Sequence, residues 1–211
     1  MQKKIFQIKM LEMSSSGAGV LMARSVEFGR RYNVPIIVKS TFANNKGTIV
    51  KEKIMEEAIV SGVTHNDKEV KFTLFGVPDQ PGIAGTVFGS LSEIGTNVDM
   101  IVQNVSKESI TDISFTAPSE QQKDVEDTLK NISKKLDAKG YDVDENIARI
   151  SIIGAGMKSE SGVASKMFKT LGDNKINISM ISTSPIRVSC VISSSDIERA
   201  LNVLHEEFIT K

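Results

Sequence analysis

The sequence is poor in the residues that build disulfide bonds and metal centres. Its 211 residues include one cysteine, two histidines and no tryptophan. One cysteine cannot form an internal disulfide, and together with two histidines it cannot supply a cysteine- and histidine-rich metal site. The chain also lacks an apolar run of 18 residues, and its first residues, MQKKIFQIKM, lack the apolar centre of a signal peptide. We therefore expect a cytoplasmic protein with no metal centre and no membrane partner.

The charge balance argues against nucleic-acid binding. Lysine and arginine number 26 and aspartate and glutamate also number 26, so the formal net charge is zero. Nucleic-acid binding draws on an excess of basic side chains, and RNA-binding sheets stack bases on aromatic side chains. Aromatic residues make up only 5% of this chain. Hydrophobic residues at 40% and charged residues at 25% are ordinary globular values, and the length suits one large domain or two to three small ones.

What the sequence does contain is an internal repeat. FTLFG (Phe72–Gly76) is matched by ISIIG (Ile150–Gly154), and NVDMI (Asn97–Ile101) is matched 80 residues later by NISMI (Asn177–Ile181). Three more pairs follow the same order: Gly82–Phe88 with Gly162–Phe168, Asp112–Phe115 with Arg187–Cys190, and Val125–Leu129 with Ile197–Leu201. Five matched blocks in one order indicate a duplication.

Each copy has the pattern of a β-α-β-β-α unit. Alternating apolar residues such as Val70, Phe72 and Leu74 predict strands, and apolar residues spaced by three and four predict helices. This order calls for one more strand to complete a ferredoxin-like βαββαβ unit. The first copy has that strand near Tyr141–Ile147, whereas the second copy does not. We predict that Glu57–Thr64, which precedes the first copy, supplies it, so that the first copy is inserted in the second.

The first fifty residues lie outside the repeat. A helix rich in small residues is predicted from Met10 to Tyr32, followed by an apolar strand at Ile36–Val38. A continuous apolar strand is typical of a parallel sheet that is covered on both faces. One helix and one strand cannot build such a sheet, so we interpret this region as the end of a larger α/β domain.

The loops that join the first strand and first helix of each copy are candidate binding sites. They span Gly76–Gly85 and Gly154–Ser165, and each leads into a helix N-terminus, whose free backbone N–H groups suit a carboxylate. Asp79 could then face the ammonium group of the same small zwitterion. Asn97 and Asn177 begin the following strand in the two copies, which favours a duplicated site.

Simpler interpretations stay open for these residues. Pro78, Pro81 and Gly82 could merely turn the chain, with Asp79 capping the helix. Glycines 154 and 156 suggest a dinucleotide loop, but the spacing to Gly162 does not fit that motif. Cys190 lies among apolar strand residues, which is typical of a small core side chain.

The sequence resembles the C-terminal part of a known family, aspartokinase (aspartate kinase). The segments that carry the resemblance are RSVEFGRRYNVPIIVKSTF, GTIV, GVPDQPGIAGTVF, NVDMIVQN, TDISFT, GAGMKSESGV and NISMISTSPIRVS. In that family the repeats are ACT domains, which are α+β, ferredoxin-like βαββαβ modules that bind amino acids. The resemblance implies a remnant of the amino-acid kinase domain over residues 1–50, a first ACT domain over 68–148, and a second over 57–65 plus 149–211.

Aspartokinase transfers phosphate from ATP to the side-chain carboxylate of aspartate. The resemblance implies that ATP and magnesium bind the catalytic domain, which carries a Lys-Phe-Gly-Gly-Thr-like motif that this sequence lacks. The chain is then either a regulatory β subunit or the regulatory part of a longer enzyme, without cofactors and inactive alone. It would bind lysine, threonine or both, act in feedback inhibition, form a homodimer through its ACT domains, and partner a catalytic subunit or domain.

The family pattern also implies the residues that bind the regulatory amino acid, called the effector below. In the first ACT domain these are Asp79, Gly82, Ile83, Ala84, Asn97, Val98, Asp99 and Gln103. In the second they are Met157, Gly162, Val163, Asn177, Ile178 and Ile181. The second copy departs from the pattern, since family members commonly have glutamate at the positions of Ser179 and Pro185. Two alternatives remain, a purely structural, dimerising subunit and a chain that phosphorylates aspartate unaided.

Overall fold

The computed structural model describes residues 3–43, 45–51, 59–105, 109–154 and 162–210. Its contacts divide these residues into two compact units. One unit contains the described residues of Met1–Asn66, Ile150–Ile192 and Asp196–Lys211, and the other contains Asp67–Arg149 and Ser193–Ser195. The chain therefore leaves the first unit at residue 66 and returns to it at residue 150.

The N-terminal region contains two short helices instead of the single helix predicted over Met10–Tyr32. Its elements are β1 (Lys3–Phe6), α1 (Gln7–Ser15), α2 (Ala23–Arg31), β2 (Ile36–Val38) and β3 (Thr48–Lys51). The predicted helix is wrong because Gly17 takes a left-handed conformation with φ of 108°. A Cβ atom at Gly17 would lie 1.8 Å from the carbonyl oxygen of His65, so both the backbone angle and the close approach require glycine.

The strand at Ile36–Val38 is present, but its predicted setting is wrong. The three-stranded sheet has the order β1-β3-β2, with β1 parallel to β3 and β2 antiparallel to it. β2 thus lies at an edge of this sheet, and the side chain of Ile37 is 54% exposed. Met10, Val26 and Val50 form the small buried core of this region.

The first repeat folds as a four-stranded antiparallel sheet with two helices. Its elements are β5 (Glu69–Pro78), α3 (Ile83–Glu93), β6 (Ile101–Val105), β7 (Ile110–Pro118), α4 (Gln122–Lys135) and β8 (Gly140–Asp144). The strand order is β6-β7-β5-β8. Phe72 and Phe115 stack at 5.3 Å between ring centroids, and Phe88 packs edge-on against Phe115. Leu91, Val125 and Leu129 complete this core.

The second repeat has the same architecture, but it draws one strand from an earlier part of the chain. Its elements are β9 (Ile147–Ile153), α5 (Val163–Asp173), β10 (Met180–Ser184), β11 (Arg187–Ser193), α6 (Ile197–His205) and, from upstream, β4 (Gly62–Asn66). The strand order β10-β11-β9-β4 matches that of the first repeat position by position. The fourth strand therefore comes from the segment that precedes the first repeat, as the sequence predicts. Of the predicted strand Glu57–Thr64, residues 57 and 58 lie outside the described residues.

Equivalent interior contacts confirm the duplication at the level of side chains. In the first repeat the hydroxyl groups of Thr73 and Ser114 lie 3.0 Å apart between β5 and β7. In the second, those of Ser151 and Ser189 lie 2.7 Å apart between β9 and β11. A buried hydroxyl needs a hydrogen-bond partner, and in each sheet the two hydroxyls satisfy one another. Cys190 is fully buried beside Ser189, as predicted, and burial raises the pKa of its thiol to about 12.

Candidate functional site

Both candidate loops end in a left-handed glycine at a helix N-terminus. Gly82 precedes α3 with φ of 94°, and Gly162 precedes α5 with φ of 100°. Their carbonyl groups accept the first helical hydrogen bonds, from the N–H of Thr86 at 2.9 Å and of Lys166 at 2.8 Å. Among the described residues, no atom lies within 4 Å of a Cβ built on either glycine, so the space beside each glycine is open. In α3 the Ile83 N–H already donates to the Gln80 carbonyl at 3.3 Å, so an anionic group at this helix end would accept from the next first-turn N–H groups.

Asp79 is exposed in the first of these loops, and it does not cap α3. The cap residue is Gly82, and no side chain bonds to the first turn of the helix. The backbone N–H of Asp79 donates to the carbonyl of Ser109 at 2.8 Å, which fixes the loop against the start of β7. Within the described residues, the Asp79 carboxylate has no hydrogen bond or ion pair. The capping interpretation of Asp79 is therefore wrong, and effector binding by Asp79 stays a prediction.

The predicted residues at the other end of α3 and α5 are arranged alike in the two repeats. Asn97 and Asn177 are exposed. The neighbouring Val98 and Ile178 are half-buried and pack against the core of their own repeat. The residue before each asparagine is bonded to the end of the preceding helix. The N–H of Thr96 donates to the carbonyl of Leu91, and the N–H of Ile176 donates to the carbonyl of Leu171, both at 3.0 Å.

The remaining predicted residues differ in exposure. Gln103 on β6 and Ile181 on β10 are exposed on edge strands of their sheets, whereas Val163 is buried in the first turn of α5. Ala84 is exposed and Ile83 is half-buried in the first turn of α3. Met157 lies outside the described residues.

Within the first repeat, the structure separates the predicted site residues around Asp79 from those around Asn97, and Gln103, which pairs with Ile113, lies between the two groups. Pro78, at the end of β5, pairs with Ile110, and Asp79 follows it. Asp99 instead donates its N–H to the carbonyl of Thr116, near the opposite end of the sheet, where Glu69 pairs with Pro118. Strands rise ~3.3 Å per residue, so the length of β5 places the two groups roughly 25 Å apart. One free amino acid cannot contact both groups in the same repeat.

Asp99 takes part in a buried ionic cluster that sequence reasoning missed. The Nη2 atom of Arg149 lies 2.8 Å from a carboxylate oxygen of Asp99 and 2.8 Å from Oε1 of Glu69. Nε of Arg149 also donates to Glu69, at 3.2 Å. Arg149 is 1% exposed and Glu69 is 6% exposed, whereas the Asp99 side chain is 35% exposed. The one available signal was the lone charged residue in the strand sequence IARISII, because a buried arginine needs acidic partners.

Two protein-family models match this chain, and both describe the ACT domain. They cover residues 71–137 and 150–208. The regulatory subunit of aspartate kinase from Thermus thermophilus is 35% identical, with a TM-score of 0.68. This chain covers 99% of that structure, which in turn accounts for 71% of this chain. The chain belongs to the aspartokinase family.

A curated relative from Pseudomonas fluorescens, named aspartate kinase, is 45% identical over 208 residues. The match covers 97% of this aspartokinase chain and 50% of the relative, so the chain spans about half of that protein's length. Escherichia coli aspartokinase III, solved in complex with lysine and aspartate, shares the fold with a TM-score of 0.75 at 21% identity. That match covers 99% of this chain and 46% of the E. coli chain.

The described part of the aspartokinase chain offers no metal centre and no membrane span. In the described ranges, no group of three His, Cys, Asp or Glu side chains could hold a metal ion. No helix in those same ranges has the length and apolar character needed to cross a bilayer. In the described part of the first loop, the chemistry on offer includes backbone N–H groups and the exposed Asp79 carboxylate.

Proposed function

We propose that this chain is the amino-acid-sensing part of aspartokinase and that it binds lysine, threonine or both. The observation that carries the proposal is the open, glycine-capped N-terminus of α3 beside the exposed Asp79 carboxylate, which has no partner in the described residues. A free amino acid is a zwitterion. Its carboxylate suits the helix N–H groups, and its ammonium group suits Asp79.

The distance between the residues around Asp79 and those around Asn97 suggests that one binding site draws on two ACT domains. Asp79 and Asn97 lie at opposite ends of one sheet, so they can serve one ligand only if they come from different ACT domains. Two ACT domains packed side by side would bring the loop of one to the strand start of the other. We therefore propose a homodimer in which each effector lies between two ACT domains.

Such an arrangement gives the effector control over catalysis. An amino acid that bridges two ACT domains stabilises the pairing that it fits, and its differential affinity shifts the population of that state. We propose that this shift reaches a catalytic subunit or domain, where ATP, magnesium and aspartate bind, and reduces aspartate phosphorylation. The similarity to the regulatory subunit of aspartate kinase from Thermus thermophilus supports this division of roles. The cytoplasmic location stays a prediction.

The second repeat supports a weaker site. The Ser179 hydroxyl, at the position matching Asp99, donates to the carbonyl of Val191 at 3.1 Å and remains within its own hairpin. Because the second repeat lacks an acidic residue that matches Asp79 or Asp99, we place the principal site in the first repeat. The purely structural alternative, a dimerising subunit without effector binding, is decided by the experiment below.

A complementation experiment tests the composite site. Threonine and lysine are each titrated into the wild type, Asp79→Ala and Asn97→Ala by isothermal calorimetry. The Asp79→Ala variant loses the charge-assisted hydrogen bond from the effector's ammonium group to the Asp79 carboxylate. We expect its affinity for the effector to be roughly 10- to 100-fold lower than that of the wild type. The exposed Asp127→Ala on α4 is the matched control and should bind like the wild type.

The two weak variants are then mixed and allowed to exchange subunits. A mixed dimer has one site in which both residues are intact, so binding should return in about one site in four. Failure of the mixture to regain binding would contradict a site shared between copies. Wild-type affinity in Asp79→Ala would remove Asp79 from the site.

A further inference from the structure

We propose that Arg149 positions Asn97 and Val98, which precede β6, by holding the Asp99 carboxylate. Arg149 then serves the site through Asp99, and Asp99 serves it by fixing this backbone rather than by contacting the ligand. The role in effector binding rests on the proposed function, whereas the contacts of Arg149 with Glu69 and Asp99 are observed within the first repeat. Arg149, Glu69 and Asp99 all belong to the unit Asp67–Arg149.

The shape of the guanidinium explains why one residue can hold both carboxylates. Nε and Nη2 together engage Glu69, and Nη2 reaches Asp99 as well. The planar fork of arginine presents these donors in a fixed arrangement that a lysine ammonium group cannot reproduce. Nη1 is buried and has no hydrogen-bond partner in the described residues. The guanidinium therefore contacts the two carboxylates through its Nε and Nη2 edge, and loss of Nη2 would remove its contact with Asp99.

The backbone around Asp99 shows what its carboxylate fixes. The N–H of Asp99 donates to the Thr116 carbonyl at 3.2 Å, and the Thr116 N–H returns a bond to the Met100 carbonyl at 3.0 Å. Asn97 and Val98 precede this anchored point by one or two residues. Holding Asp99 therefore fixes the direction in which the Asn97 amide leaves the sheet.

The second repeat provides an internal comparison. Ser179 occupies the position of Asp99 and keeps the same backbone bond, to the Val191 carbonyl at 2.8 Å. Its hydroxyl bonds to that same carbonyl, in place of the Arg149 contact that Asp99 makes in the first repeat. The ionic support belongs to the first repeat, where we place the principal effector site.

Backbone hydrogen exchange tests the positioning claim without any ligand. In Arg149→Lys, a single ammonium group should stay with the more deeply buried Glu69 and lose the contact with Asp99. Protection of the Asp99 and Thr116 amides should then fall about tenfold, while the Ser179 amide and the amides of α4 stay unchanged. Asp99→Asn should produce the same local loss and carries the test if Arg149→Lys does not fold. Unchanged protection at Asp99 in the folded variants would overturn the inference.

A double-mutant cycle on effector affinity tests whether Arg149 acts through Asp99. Arg149→Lys and Asp99→Asn should each weaken binding about tenfold, and the double variant should bind no more weakly than either single variant. Additive losses would overturn the inference, as would an Asp99→Asn variant that binds weakly but keeps full amide protection. Arg199→Lys, which replaces an exposed arginine paired with Asp196 at 2.6 Å, is the matched control.

The two readouts separate this inference from the proposed function. If the wild type binds neither amino acid, the proposed function fails, and the exchange experiment still decides whether Arg149 holds Asp99. If the wild type binds and all variants bind equally well, the proposed function stands and the inference is overturned.

Discussion

Replacement of Gly154 by alanine tests the insertion of one repeat into the other. Gly154 follows β9, and a Cβ atom at this position would lie 1.8 Å from the carbonyl oxygen of Ile59 and 2.8 Å from the Cα of Val60. Ile59 and Val60 lead directly into β4, and the Ser61 N–H donates to the Ile153 carbonyl at 2.6 Å. The added methyl group therefore clashes with the backbone that leads into β4, the fourth strand of the second repeat's sheet.

The size of the effect follows from that overlap. The Ile59 oxygen would have to move by at least 1.2 Å to reach the 3.0 Å below which real Cβ contacts essentially do not occur. Overpacking of this kind costs about 1–3 kcal/mol, and loss of the Ser61 hydrogen bond adds about 1 kcal/mol. We expect a loss of about 3 kcal/mol in the free energy of unfolding, which lowers the Tm by roughly 6–12 °C.

Thermal and denaturant unfolding measure this loss, with Gly172→Ala as the matched control. Gly172 lies in α5, and a Cβ atom added to it would have no neighbour within 4 Å. Alanine there removes a helix glycine without a clash and should stabilise the chain by up to about 1 kcal/mol. Equal stability of Gly154→Ala and the wild type would refute the placement of the Ile59–Val60 backbone against β9.

Two further predictions concern the compact unit that contains Gly154. Gly17→Ala should lower the free energy of unfolding in urea by about 3 kcal/mol, because its Cβ would lie 1.8 Å from the His65 carbonyl oxygen. Gly19→Ala is the control and should cause no such loss, because a Cβ there has open space around it. Equal losses in the two variants would contradict the close packing at Gly17. Burial raises the pKa of the Cys190 thiol from 9.0 to about 12, so the unfolded chain loses this proton first and stability should fall as the pH rises above about 9. At about pH 8 a thiol reagent should label Cys190 only as fast as the chain opens, and immediate labelling of the folded chain would show that the thiol is accessible.

The repeated architecture could be predicted from sequence because its signals are local and occur twice. Alternation at Val70, Phe72 and Leu74 marks β5, and all three side chains are buried. The count of strands per repeat then showed that one strand was missing from the second copy. β4 fills that place in the observed sheet.

Other features depend on tertiary contacts that a sequence pattern does not display. The break between α1 and α2 comes from the left-handed Gly17 beneath the His65 carbonyl, two segments that are far apart in the chain. The pairing of Arg149 with Asp99 likewise joins residues 50 positions apart. The family pattern named Asp99 as a site residue, but the arginine that holds it was visible only in the fold.

Calorimetric titration of the wild-type chain with threonine, and separately with lysine, decides whether this chain is an amino-acid sensor. We expect saturable binding of at least one of them, with a stoichiometry that reflects sites between paired ACT domains. An absence of binding with both amino acids, from a chain shown by circular dichroism to be folded and by sedimentation to be dimeric, would contradict the sensor function and favour a purely structural subunit.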